Sequence, residues 1–83
     1  MKFLHTMVRV LDVDRSLHFY CDLLGLTLLR RKDSESGRFS LLFLGTQHPE
    51  DTAQIELTYN WDQAEAYARG RNFGHLAFAV DNI

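Results

Sequence analysis

His5 and Arg9 stand four residues apart in the β-rich stretch 2–10, and Glu56 and Asn60 repeat that spacing in the stretch 53–60. In an extended strand side chains alternate between faces, so each pair shares a face, with its members roughly 13 Å apart at ~3.3 Å per residue. If the two strands are parallel neighbours, His5 sits beside Glu56 at one level and Arg9 beside Asn60 at another. A neutral imidazole and a carboxylate are ligands that a borderline divalent metal such as zinc or nickel takes, whereas a guanidinium with an amide suits a carboxylate-bearing ligand. The spacing predicts a metal at one end of a groove and an anion clamp at the other. His75, on a face with the small Ala77 and Ala79, is a third candidate ligand that leaves space for substrate.

Each residue also has an ordinary reading. A lone strand histidine is usually packed or solvated, and Glu56 between Ile55 and Leu57 fits the solvent side of an amphipathic strand, as Arg9 and Asn60 do in theirs. The joint pattern is what carries weight: two polar pairs at equal spacing, with a second histidine at a repeat-equivalent position. His18 and His48 read as surface residues, and Cys21 as core with no sign of an activated thiolate. There is no phosphate-binding glycine loop, no cysteine pair for structural zinc and no nucleophile elbow.

The elements that must position these side chains follow from periodicity. Residues 2–10 read as a strand with Phe3, His5, Met7 and Arg9 on one face and Leu4, Thr6, Val8 and Val10 on the other. Asp12 or Asp14 can cap a helix over 14–24, whose Leu17, Tyr20, Cys21 and Leu24 follow a helical stripe and which Gly25 ends in a left-handed turn. Strands at 26–32, 39–45 and 53–60 complete a β-α-β-β-β order of the α+β class. The turn from Asp33 to Gly37 makes the second and third strands an antiparallel hairpin, and the helical crossover sets strands one, two and four in the same direction.

Asp62 to Arg71 is a polar linker with one possible helical turn over 63–68. Beyond it, 73–80 reads as another strand, and at an offset of seventy Phe3, His5 and Val10 fall on Phe73, His75 and Val80. That match predicts a first module over 1–61, a linker over 62–72 and the start of a second, incomplete module over 73–83, with Asp81, Asn82 and Ile83 opening its helix.

Length and composition agree with one small folded unit. Eighty-three residues, 46% hydrophobic and 24% charged, with five glycines and one proline, exclude a disordered or low-complexity chain. The formal charge of −2, with basic residues spread along the chain, argues against a nucleic-acid partner. A single cysteine cannot form an internal disulfide, and no apolar run approaches a membrane span, so a soluble cytoplasmic protein is expected.

Four segments carry a family resemblance: Leu4–Val10, Ser16–Tyr20 with Leu24-Gly25-Leu26, Ile55–Trp61 and Phe73–Ala77. The chain resembles the lactoylglutathione lyase (glyoxalase I) family of the vicinal oxygen chelate superfamily, whose fold pairs β-α-β-β-β modules around a cleft, commonly between two subunits. The resemblance spans all 83 residues, and its Glu-Leu-Thr-x-Asn-Trp and Gly-His blocks are specific within the superfamily. It implies that His5, Glu56 and His75 are metal ligands and that Arg9, Asn60 and Arg71 bind glutathione. It implies nickel or cobalt as the metal, with zinc as an alternative, and a homodimer with its site at the interface. The implied reaction isomerises the methylglyoxal–glutathione hemithioacetal to S-lactoylglutathione. That carbon-bound proton is too weakly acidic for a carboxylate to take unless the charge left behind is stabilised, as a metal at both vicinal oxygens does. The family's fourth ligand and main base, a second-module glutamate, has no counterpart before Ile83, which leaves Glu56 as a fallback base. The alternative is a small-ligand or antibiotic-binding module of the same superfamily. The Glu-Leu-Thr-Tyr-Asn-Trp block and Arg9 argue against it, since such a binder needs no glutathione clamp.

Overall fold

The structure, a computed structural model, describes residues 1–68, 70, 71 and 74–81. Its centre is a four-stranded sheet in the order β1-β4-β3-β2, with β1 at His5–Val10, β2 at Thr27–Ser34, β3 at Phe39–Gly45 and β4 at Gln54–Asn60. β1 and β4 are parallel, and the β2–β3 and β3–β4 pairs are antiparallel. Strands one, two and four therefore do run the same way, with the helical crossover joining the two edge strands.

β3 and β4 take the middle of the sheet because their sequences bury best. One face of the sheet is dry: Leu42, Leu44 and Leu57 are fully buried there, with Val10, Leu26 and Ile55 around them. Burying aliphatic side chains of this size is worth about 1.5–3 kcal/mol each, and it fixes which face of each strand points inward. The crossover helix covers this face, with Val13, Leu17, Tyr20 and Cys21 packed on the core.

That crossover is not the single α-helix over 14–24 that the periodicity predicts. α1 covers Val13–Leu17, capped by the Asp12 carboxylate accepting from the Arg15 backbone N–H at 2.9 Å, and a π-helical segment continues over His18–Leu23. The wider turn, in which Leu24 N–H donates to Phe19 C=O, spends an extra residue per turn and rotates Leu24 off the apolar stripe, leaving it 49% exposed. Gly25 does end the segment, at a φ of +88° that a Cβ would strain.

β1 begins at His5 rather than at residue 2, because its partner strand starts only at Gln54, whose N–H donates to Leu4 C=O. β2 runs to Ser34, two residues past the expected end, and carries an irregularity between Leu28 and Arg30. The residues over 63–68 form no helical turn; Gln63 N–H instead donates to Asn60 C=O and the Gln63 amide to Glu65 C=O. The segment 74–80 is not a strand, since none of the described residues pairs with it in a sheet. Phe73, Asn82 and Ile83, which the repeat reading also invoked, lie outside the described residues, as do Arg69 and Asn72 of the linker.

A clasp closes the end of the β3–β4 hairpin. Ser40, 1% exposed, donates from its hydroxyl to Asp33 and accepts from Trp61 Nε1–H at 2.9 Å. Arg38, at φ +55°, holds Asp62 through Nε at 2.6 Å and a second nitrogen at 2.9 Å. Hydrogen bonding from Ser40 and then from Arg31 holds the Asp33 carboxyl below its usual range, and the Arg38 bond does the same for Asp62.

Candidate metal and anion site on the open sheet face

With the dry face committed to the helix, alternation sends the other set of side chains to the opposite, uncovered face. β1 contributes His5, Met7 and Arg9 to it, and β4 contributes Gln54, Glu56, Thr58 and Asn60. β3 adds Phe39, Leu41 and Phe43, and β2 adds Arg30 and Lys32.

His5 and Glu56 meet, but not as direct ladder partners. The register sets His5 against Gln54 and Arg9 against Thr58, two residues short of the expected levels. A shift of two preserves the face, so His5 Nε2 still reaches Glu56 Oε1 diagonally at 3.4 Å. Glu56 is the more sheltered partner, its side chain 13% exposed against 39% for His5. Thr58, two residues on and therefore on the same face, donates from Oγ1 to Glu56 Oε2 at 3.2 Å. One carboxylate oxygen is thus held by the hydroxyl while the other faces the imidazole. The His5 ring is steadied from below by the edge of Phe43, with centroids 5.9 Å apart and planes at 78°.

Arg9 and Asn60 stand on the same face further along, also offset by two. The Asn60 amide donates to the Tyr67 hydroxyl at 3.0 Å, which orients it. Arg71 is exposed in a turn. His75 is also exposed and is not gathered with the pair: among the described residues no three metal-type donors come together. Without strand pairing, its segment lies elsewhere, and Leu76, Ala77 and Phe78 line a cavity with the dry-face residues Leu26, Leu44 and Ile55. An imidazole beside a half-buried carboxylate fits part of a divalent metal's ligand set, and those two donors are what this sheet supplies.

Thr58, Phe43 and Arg30 were not anticipated. Thr58 was legible from the Glu-x-Thr alternation, whereas the other two depend on the hairpin register. His18 and His48 are surface residues, as expected; His18 Nδ1 lies 3.0 Å from Asp22 and the His48 ring accepts from Glu50 N–H. Cys21 packs on the core, and burial, followed by the Asp22 charge, pushes its thiol up, which fits an inert side chain.

The fold is a β-α-β-β-β module of the α+β class, with one helix-covered sheet face and an imidazole–carboxylate pair on the other. Residues 2–83 match the Glyoxalase/Bleomycin resistance protein/Dioxygenase superfamily, and the chain belongs to that family. It is 52% identical over 83 residues to a probable lactoylglutathione lyase of Synechocystis sp., covering all of this chain and 63% of that one. To the lactoylglutathione lyase of Haemophilus influenzae it is 48% identical, covering 61% of that protein. The chain thus spans about three fifths of the length of these curated relatives. Among solved structures it resembles the trypanothione-dependent glyoxalase I of Leishmania major, with a TM-score of 0.86, 39% identity and 96% of this chain matched to 57% of that one. No helix among the described residues is long and apolar enough to cross a membrane.

Proposed function

We propose that this chain carries the first metal ligands and the glutathione clamp of a lactoylglutathione lyase, isomerising the methylglyoxal–glutathione hemithioacetal to S-lactoylglutathione. The observation that carries the reading is the 3.4 Å approach of His5 to Glu56 on a sheet face that the fold leaves uncovered. The relatives named lactoylglutathione lyase support it over the small-ligand-binding alternative. His5 and Glu56 hold a divalent metal, nickel or cobalt before zinc. When bound there, it supplies Lewis-acid stabilisation of the negative charge that builds on the substrate's vicinal oxygens.

The remaining work falls to side chains. Arg9 is a permanent cation that binds a substrate carboxylate through parallel N–H donors, and Asn60 adds an amide beside it. Their distance from His5 and Glu56 stretches glutathione along β1 and β4 and sets the reacting carbons at the metal end. Glu56, aligned by Thr58, is the fallback carboxylate for taking and returning the carbon-bound proton, a task that the family resemblance gives chiefly to a second-module glutamate. His75 as third ligand and Arg71 as a further glutathione contact rest on the family resemblance; within one copy His75 does not join His5 and Glu56. An uncovered face of this kind suits a homodimer with the site at its interface, and the lone Cys21 suits a reducing cytoplasm.

The test is formation of S-lactoylglutathione from methylglyoxal and glutathione by the metal-stripped protein, with nickel, cobalt or zinc added back. Activity restored by metal and lost in Glu56→Gln supports the reading; a protein that neither turns over nor binds a glutathione conjugate under any metal returns it to the small-ligand-binding alternative.

A further inference from the structure

The open face has two halves, and the proposed lyase reading uses one. β1 and β4 carry the metal pair and the glutathione clamp; β3 and β2 carry Phe43, which steadies His5, and Leu41, Arg30 and Lys32, to which that reading gives no work. Arg30 opposes Phe43 in one ladder and Phe43 opposes Glu56 in the next, so the three form a row across three strands at about 4.8 Å per step. Lys32 opposes Leu41 one level along, which in turn neighbours Thr58.

Arg30 is held in an unusual way for an exposed strand cation. Its Cζ lies 3.9 Å from the centroid of Phe43, a cation–π contact that leans the guanidinium inward over the sheet, towards Glu56. Phe43, between Arg30 and the His5 ring, is only 5% exposed although it lies outside the helix-covered core. The stack fixes the guanidinium, and among the described residues no hydrogen bond uses its N–H donors. Among the described residues neither Arg30 nor Lys32 has an ion-pair partner, whereas Arg31 and Arg38 on the same hairpin are each paired with an aspartate. Charge is segregated accordingly: the open face presents Arg9, Arg30 and Lys32 against Glu56, on a chain whose formal charge is −2.

We propose that Arg30, laid on Phe43 and assisted by Lys32, is a carboxylate-binding subsite for the far end of the aldehyde-derived half of the substrate. It selects 2-oxoaldehydes whose short apolar chain ends in an anion. This rests on the lyase reading above. With the reacting carbons at His5 and Glu56 and glutathione running along β1 and β4, the aldehyde's own side chain points across Leu41 and Phe43. A guanidinium at the end of that path recognises a carboxylate by paired charge-assisted hydrogen bonds.

The subsite is tested without turnover, by calorimetric binding of S-alkylglutathione and S-(ω-carboxyalkyl)glutathione of equal chain length to the metal-loaded protein. The carboxylated conjugate is expected to bind about ten-fold more tightly, a preference that weakens as salt is raised. Arg30→Gln should erase the preference while changing S-alkylglutathione affinity by less than about two-fold, and Lys32→Gln should reduce it in part. Arg30→Lys, which keeps the charge and loses the planar fork, should retain a fraction. Equal affinity of wild type for both conjugates overturns the subsite, as does an Arg30→Gln that weakens both alike, since Arg30 would then only shelter Phe43. If neither conjugate binds, the glutathione reading itself fails and the subsite falls with it.

Discussion

His5 Nε2 lies 3.4 Å from Glu56 Oε1, although the ladder partner of His5 is Gln54. The contact is diagonal, and Thr58 completes it by holding the second carboxylate oxygen. A carboxylate oriented in this way by its own neighbour is stiffer and better directed than one left to rotate.

Removing that orientation should be measurable. Thr58→Val is expected to weaken divalent-metal affinity by about ten-fold or more, read by competition with a chelating dye. Glu56→Ala should abolish metal binding, whereas Arg9→Ala should weaken glutathione-conjugate binding and leave the metal in place. Equal effects of Glu56→Ala and Arg9→Ala on both ligands would contradict two separate ends of the site.

Ser40 joins Asp33 to Trp61 at a position 1% exposed to solvent. Ser40→Ala leaves the indole N–H without its partner, which should cost about 1–3 kcal/mol in denaturant unfolding. Because the chain has one tryptophan, the same change should shift the native fluorescence. An unaltered midpoint and spectrum would mean that the bridge contributes nothing.

Asp33 and Asp62 are both held below the ordinary aspartate value of 3.8 by hydrogen bonds, from Ser40 and Arg38 respectively. A depressed folded value means that the unfolded chain binds protons first as pH falls. The stabilisation is therefore complete above the unfolded value and disappears as pH drops through the folded one. Melting temperature should decline on acidification below about pH 4. Asp62→Asn should be less stable than wild type at neutral pH, with the gap closing in acid. A gap that stays constant with pH would exclude the ion pair as its source.

Gly25 sits at φ +88° with open space where a Cβ would be, so a side chain there meets backbone strain and no clash. Gly25→Ala should destabilise by roughly 1–2 kcal/mol in urea unfolding, and a neutral result would show that the turn has another accessible conformation.

Some of this architecture was legible without coordinates. Alternation alone set His5 and Arg9 on one face of β1 and Glu56 and Asn60 on one face of β4, and glycine and polar turns marked the hairpin. The helical crossover was visible from the Leu17, Tyr20 and Cys21 stripe, but the π-helical widening that expels Leu24 was not, because it reflects how the segment must reach β2. The expected strand over 73–80 rests on its likeness to residues 3–10, a local pattern, whereas a strand exists only where a neighbour accepts its hydrogen bonds, and 74–80 finds none among the described residues.

The chain's letters alone determined which residues share a face, because the two-residue period of an extended backbone is a local property that survives any even shift of register. Tertiary structure decided which of them touch. The offset that sets Glu56 diagonal to His5, the row that lays Arg30 over Phe43 and the bridge from Trp61 to Ser40 all depend on how Leu42, Leu44, Ile55 and Leu57 lock the central strands together. That packing is non-local: its register is chosen by the buried face as a whole, and no single stretch of sequence contains it.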